Sequence, residues 1–212
     1  MATLKTTGTC SLCDRELAKA AMTKHLAACP ELSLDGETRV HIVVEGNPSS
    51  IFWLHLAVKR SAKLADVDRF LRAIWLECCD HLSMFRIGGT SYFSSGSDMP
   101  GRKMHVAVEK VLSPELKFDY EYDFGSTTAL KLRVLGACPG RVGAAPIDLL
   151  ARNNPPALAC TCGKLATEIC TECAWENEGW LCDSCAREYA CGEESLLPAV
   201  NSPRVGVCGY TG

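Results

Sequence analysis

Eight of the fourteen cysteines crowd between Cys160 and Cys208, three lie in the first thirty residues, and three are scattered from Cys78 to Cys138. Thiols at that density near both ends leave a chain two ways to fold there, disulfides or metal. Residues Met1 to Cys10 hold no apolar signal-peptide core, so a reducing, cytoplasmic setting is expected and metal is the expected solution. The longest apolar run, Ile51 to Val58, is eight residues long and contains His55. A membrane-spanning helix needs about 20 residues, so no membrane partner is expected.

The N-terminal cysteines carry zinc-ligand spacing. Cys10-x2-Cys13 is followed after eleven residues by His25-x3-Cys29. A tight turn would supply the first two ligands. Asp14 to Ala28 is rich in helix formers, so His25 and Cys29 are expected at i and i+4 on one helical face, with Leu17 and Ala21 extending the stripe. About thirty residues cannot fold on burial alone, so the metal has to reinforce this small core.

The C-terminal pattern is denser: Cys160-x-Cys162, Cys170-x2-Cys173, Cys182-x2-Cys185, then Cys191 and Cys208. Each close pair can donate two thiolates from one knuckle turn, and eight cysteines fill two tetrahedral sites. With the N-terminal set this predicts three zinc ions per chain, cysteine supplying eleven of the twelve ligands. All-thiolate sites are closed to substrate, which favours structural over catalytic metal. Trp175, Trp180 and Leu181 are expected to form the module's core, and an aromatic peptide-binding groove at Trp175 and Trp180 is the sharper alternative. The spacing resembles the cross-braced double-zinc modules of the B-box and MYND kind. That resemblance implies Cys160, Cys162, Cys182 and Cys185 around one ion and Cys170, Cys173, Cys191 and Cys208 around the other. The sequential pairing, first four and last four, is the alternative.

Three segments follow: a zinc finger over residues 1–33, a middle domain over 36–150 and the cysteine-rich module over 151–212. The Pro/Gly/Ala-rich stretch from Cys138 to Pro156 reads as a linker with a short helix near Ile147 to Ala151. The 212 residues are 47% hydrophobic, enough for at least one sizeable core. With 22 basic against 25 acidic side chains, the chain lacks the basic excess that non-specific nucleic-acid binding rests on. The module from 151 to 212 carries four basic and eight acidic residues, and bound thiolates would make it more acidic still.

In the middle segment Thr38 to Glu45 and Ile51 to Val58 read as strands around a Gly46-Asn47-Pro48 turn. Leu64, Val67, Leu71, Ile74 and Trp75 follow at helical spacing, and Met84 to Ile87 and Thr90 to Phe93 flank Gly88-Gly89 as short strands. Phe118, Tyr120, Tyr122 and Phe124 alternate with charged residues, and Leu130, Leu132 and Val134 alternate with Lys131 and Arg133. This predicts a hairpin with Tyr122 opposite Leu130, Tyr120 opposite Leu132 and Phe118 opposite Val134, closed by an odd-numbered loop containing Gly125. Cys78, Cys79 and Cys138 lack partners at ligand spacing and read as buried small hydrophobes. His41, His55 and His105 stand singly in apparent strands, where a packed or surface role is expected. His81 and Asp123 admit an acid–base pairing, against the commoner role of satisfying backbone groups.

The run Tyr120-Glu121-Tyr122-Asp123-Phe124-Gly125 resembles the YxYDFG motif of the plasmid ORF-three-like family, also called the insertion-element passenger TnpR family. Trp53, Leu64-Ala65-Asp66-Val67 and His81-Leu82-Ser83-Met84-Phe85 extend the resemblance over about residues 38 to 136. It implies an α+β domain, a helical layer on a mostly antiparallel sheet, with a mobile-element flavour and no established reaction. Ser126, Thr127 and Thr128 stand where that family usually has an acidic residue and a tryptophan. No phosphate-binding loop, nucleophile elbow or metallohydrolase motif is present. The expected function is therefore a zinc-binding, non-enzymatic adaptor with a protein partner, or alternatively a nucleic-acid-associated accessory protein acting through the N-terminal finger with Lys19 and Lys24.

Overall fold

The computed structural model describes residues 6–32, 37–94, 99–140, 145–174 and 178–212. Strands β1 (Thr7–Cys10) and β2 (Glu16–Ala18) precede helix α1 (Lys19–Leu26). Then come β3 (Thr38–Asn47), β4 (Trp53–Lys59), helix α2 (Leu64–Leu71) with a π-type continuation over Arg72–Leu76, β5 (Ser83–Ile87), β6 (Thr90–Phe93), β7 (Arg102–Lys103), β8 (Lys117–Tyr122), β9 (Thr128–Pro139) and β10 (Ile147–Asn153). The C-terminal part holds β11 (Glu168–Cys170), β12 (Trp180–Leu181), helix α3 (Asp183–Ala186) and β13 (Leu196–Pro198). Ten strands form one sheet in the order β2-β1-β10-β4-β3-β9-β8-β5-β6-β7, antiparallel except for the β6–β7 pair, and β12-β11-β13 form a separate three-stranded sheet. Sheet dominates, with 38% strand against 17% helix, so the α+β balance implied by the resemblance is not reproduced. What is reproduced is a mostly antiparallel sheet with a packed helix.

The centre of the sheet is buried on both faces, and period-two alternation sorts its side chains. From β4, Leu54, Leu56 and Val58 point to the face covered by α2, where they share a core with Val67, Leu71 and Trp75. Trp53 and Ala57 point the other way and share a second core with Met22, Leu26, Cys10 and Cys29. Helix α2 begins cleanly because the Asp66 carboxylate accepts the Lys63 N–H at 2.9 Å, the carboxylate half of a capping box.

The N-terminal finger is thus built into the domain, with β1 paired to β10 and α1 packed under the sheet. Gly8 is required there: a β-carbon would come within 2.3 Å of the Trp53 ring and 2.4 Å of the Arg152 carbonyl oxygen. Residues 147–151, expected as a helix in a linker, are instead part of β10, which joins β1 to β4 with a register irregularity between Leu149 and Ala151. A short apolar run buried on both faces reads the same as a helix segment in sequence. The expected segment boundary near Ser33 to Gly36 lies outside the described residues.

The β8–β9 hairpin forms with Tyr122 opposite Thr128, Tyr120 opposite Leu130 and Phe118 opposite Leu132, two residues tighter than expected. A two-residue slip keeps every side chain on its face, so the apolar pattern alone could not fix it. The turn decides. Asp123 adopts a left-handed φ of 64°, and its Oδ1 accepts the N–H groups of Gly125 at 2.9 Å and Ser126 at 3.2 Å. This closes an odd-numbered loop around Gly125. Asp119 consequently pairs with Lys131.

His41 and His55 are not isolated. They face each other on the finger side of the sheet, Nε2 to Nδ1 at 2.9 Å. Burial holds His41 down at about 4 and His55 at about 3, the latter also lowered by His41, Lys19 and Arg133. Because both lie below the ordinary value of 6.5, the unfolded chain binds more protons between that value and about pH 4, and stability falls as pH falls through this window. An NMR titration should find both imidazoles neutral at pH 5. Protonation of either near 6.5 would mean the pair is hydrated.

Candidate metal centres

The first centre is assembled by a knuckle. The Cys10 carbonyl accepts the Asp14 N–H at 2.9 Å and the Cys10 N–H donates to the Arg15 carbonyl at 3.0 Å, with Asp14 in the left-handed region. This aims Cys10 and Cys13 at α1. Cys10, Cys13, His25 and Cys29 converge with their donor atoms within 4.8 Å of one another, and Cys13 Sγ lies 3.3 Å from His25 Nε2. The i, i+4 expectation needs correction: α1 ends at Leu26, and Cys29 reaches the site from the turns that follow the helix, where Leu32 N–H bonds the Cys29 carbonyl at 3.1 Å. Leu17 lies in β2 rather than on the helix.

In the C-terminal part the cysteines group alternately. Cys160, Cys162, Cys182 and Cys185 form one set of four, and Cys170, Cys173 and Cys191 a set of three among the described residues. Cys162 and Cys182 sulfurs are 3.6 Å apart and those of Cys173 and Cys191 are 3.9 Å apart. A disulfide requires about 2.05 Å, whereas thiolates about 2.3 Å from a tetrahedral zinc sit about 3.8 Å from each other. The fourteen cysteines are all free thiols. This alternation is that of a cross-brace and excludes the sequential pairing.

Cys208 departs from its expected place. It lies with Cys78, Cys79 and His81, its sulfur 3.3 Å from His81 Nε2, and not with Cys170, Cys173 and Cys191. The tail runs back to the large sheet instead of staying with the module. Arg152 Nη2 donates to the Asn201 carbonyl at 2.6 Å, Ser202 Oγ to the Trp75 carbonyl at 2.6 Å, and Arg204 Nη2 to Asp123 Oδ2 at 2.8 Å. Cys78 is half-buried and Cys79 exposed, correcting their reading as buried hydrophobes, whereas Cys138 is buried. In place of Cys208, the three-sulfur set receives the Tyr189 hydroxyl, which donates to Cys173 Sγ at 3.3 Å.

The thiols within each set compete for protons. Neighbouring sulfurs push Cys185 up to about 12, Cys160 first among them, while the Ser184 hydroxyl and the Cys185 N–H hold Cys182 down at about 6. Likewise the Cys170 and Cys173 sulfurs push Cys191 up to about 11. Four sulfurs this close cannot all ionise without a cation between them, and a soft divalent ion is the group that lets them.

The hairpin motif residues are occupied structurally. Tyr120 donates its hydroxyl to Asp68 Oδ1 at 2.8 Å and Tyr122 to Glu77 Oε1 at 2.9 Å. The Tyr122 ring lies between the guanidinium groups of Arg72 and Arg204, at 4.9 and 4.8 Å from its centroid. Asp123 is 3.6 Å from His81 Nε2, but its oxygens are committed to Arg204, Gly125 and Ser126. Burial pushes its carboxyl up; Arg204 and the two backbone donors outweigh that and hold it below the ordinary value. Of the aromatic pair expected to bind, Trp180 is half-buried in β12 and Trp175 lies outside the described residues.

No family model matches the chain, and no curated protein matches it. Among solved structures, a protein of unknown function from Methanosarcina mazei Go1 superposes with a TM-score of 0.48 and 17% identity, covering 61% of this chain and 76% of that one. No helix among the described residues is long and apolar enough to cross a membrane.

Proposed function

We propose that the chain is a zinc-stabilised, non-enzymatic adaptor whose C-terminal module receives a basic segment of a protein partner. The observation that carries this reading is the module's charge. Arg152 and Arg204 turn inward to bond the tail and the core, leaving Lys164 and Arg187 as the exposed cations against Glu172, Glu178, Asp183, Glu188, Glu193 and Glu194, all exposed. Zinc-bound thiolates add to that negative field. A phosphate backbone is repelled by such a surface; a Lys/Arg-rich peptide is attracted to it.

The nucleic-acid reading rests on the N-terminal finger and on the resemblance of Tyr120 to Gly125 to a mobile-element family, from which we propose the middle domain descends. Its electrostatics are weak. Lys19 is committed to Glu45 at 2.9 Å, leaving Arg15 and Lys24 as the exposed cations among the described residues of that unit. As for catalysis, thiolate-rich donor sets of this kind close around the ion, and Asp123 is bound on both oxygens.

Fluorescence anisotropy with a labelled Lys/Arg-rich peptide and with a single-stranded oligonucleotide separates the readings. The adaptor reading expects peptide binding that weakens with salt and falls about tenfold or more in a Glu193→Lys/Glu194→Lys variant. Oligonucleotide binding lost on changing Arg15 and Lys24, with no peptide binding, would sink it.

A further inference from the structure

We propose that Cys78, Cys79, His81 and Cys208 form a fourth metal site, for a soft divalent ion such as zinc, that latches the C-terminal tail onto the large sheet. Three sulfurs and one imidazole nitrogen lie within 4.8 Å of one another, a donor set whose hardness and number suit a tetrahedral d¹⁰ ion. The 3.3 Å separation of His81 Nε2 and Cys208 Sγ is close to the edge of such a tetrahedron, about 3.6 Å from the usual Zn–S and Zn–N lengths.

Both halves of the site are held in place by other contacts. On the core side, Arg72 Nη2 donates to the His81 carbonyl at 2.5 Å and the His81 N–H donates to the Tyr122 hydroxyl at 3.3 Å. The imidazole stands edge-on to the Tyr122 ring at 5.7 Å. On the tail side, the turn that presents Cys208 runs through Gly206, Cys208 and Gly209, all with left-handed φ. A non-glycine residue in that region is strained and persists only where surroundings fix it; here it brings the Cys208 sulfur to 3.3 Å from His81 Nε2. Three thiolates around a divalent ion leave one negative charge, and the buried Arg204 guanidinium beside Cys78, shared with Asp123, offsets part of it.

The site differs from the other three in exposure. None of its four ligands is buried and Cys79 and Cys208 are exposed, whereas each of the other sets holds at least one buried cysteine, Cys162 being the exposed member among them. Ligand exchange with solvent or a competing chelator is therefore expected to begin here, and loss of the ion loosens the turn at 206–209, while the Asp123–Arg204 pair, Val205 on the main core and the buried Tyr210 still hold its flanks. The latch is independent of the adaptor reading, since it uses none of the module's surface.

Native mass spectrometry of the full chain, purified without chelator and reloaded with zinc, counts the ions. Four per chain are expected, falling to three in Cys208→Ser and in Cys79→Ser, with amide exchange at 206–209 accelerated in both and the ten-stranded sheet unchanged. Because both side chains are exposed, either variant keeps the fold. Cobalt substitution should give a thiolate charge-transfer band that loses about one quarter of its intensity in each variant. Equal ion counts in wild type and both variants, or a Cys78–Cys79 disulfide persisting after reduction and reloading, would overturn this site alone. An absence of zinc from all three proteins would overturn it together with the three-centre reading.

Discussion

A Cys182→Ser variant should lose the fold of the C-terminal module while the ten-stranded sheet survives. Among the described residues, the module's buried cluster consists of Cys160, Cys170, Leu181, Cys182 and Ala186, so three of its five members are cysteines of the candidate metal sites and the apolar remainder of the cluster is one leucine and one alanine. A cluster that small contributes only a few kcal/mol at about 25 cal/mol per Å², against about 10 to 16 kcal/mol of apparent binding energy for a structural zinc in a small peptide. Removing one thiolate from the Cys160, Cys162, Cys182, Cys185 set should thus remove amide protection throughout β11, β12 and β13. Protection of β3, β4 and β9 should be retained, because their buried clusters share no residue with that of the module. Hydrogen exchange read by mass spectrometry checks both halves. Retained protection in β11 to β13 would mean that metal is dispensable there.

The second large effect is expected at Arg204. Its side chain is fully buried, its Nη2 is 2.8 Å from a carboxylate that is 7% exposed, and its Nη1 donates to the Ser126 carbonyl at 3.2 Å and Thr128 Oγ1 at 3.0 Å. Arg204→Met removes the cation and strands Asp123 in a buried setting, which typically costs about 3 to 5 kcal/mol. The double variant with Asp123→Asn should recover part of that loss, since an uncharged amide is cheaper to bury than an unpaired carboxylate. Urea unfolding of the single and double variants gives the coupling. A loss below about 1 kcal/mol in the single variant would place the pair among solvent-screened surface contacts.

The close pairs Cys10/Cys13, Cys160/Cys162, Cys170/Cys173 and Cys182/Cys185 were legible because knuckle spacing is local: one or two residues between cysteines puts both sulfurs on one turn, and each pair falls within one candidate cluster. Cys208 was not legible, because its neighbours depend on where the tail docks. His81 lies 127 positions away, and no spacing rule reaches that far. The adjacent Cys78 and Cys79 carried no ligand signal of their own. In the sheet, strands β3 to β6 follow their β-branched and aromatic content, and the hairpin faces follow alternation. The hairpin register failed by two residues because the deciding group was Asp123, whose carboxylate tightens the turn. Residues 147–151 failed because a strand buried on both faces has no alternation to read. The finger's insertion into the sheet was hidden for a similar reason: Thr7 to Cys10 pairs through backbone groups, and the one side-chain clue, Gly8 beneath Trp53, has meaning only once the two are seen in contact.

The central claim, that metal holds both ends of this chain, is tested most directly by elemental mass spectrometry on protein purified without chelator, normalised to chain concentration. Zinc is expected, at no fewer than three ions per chain. A folded chain carrying less than one zinc, or carrying iron in its place, would contradict it.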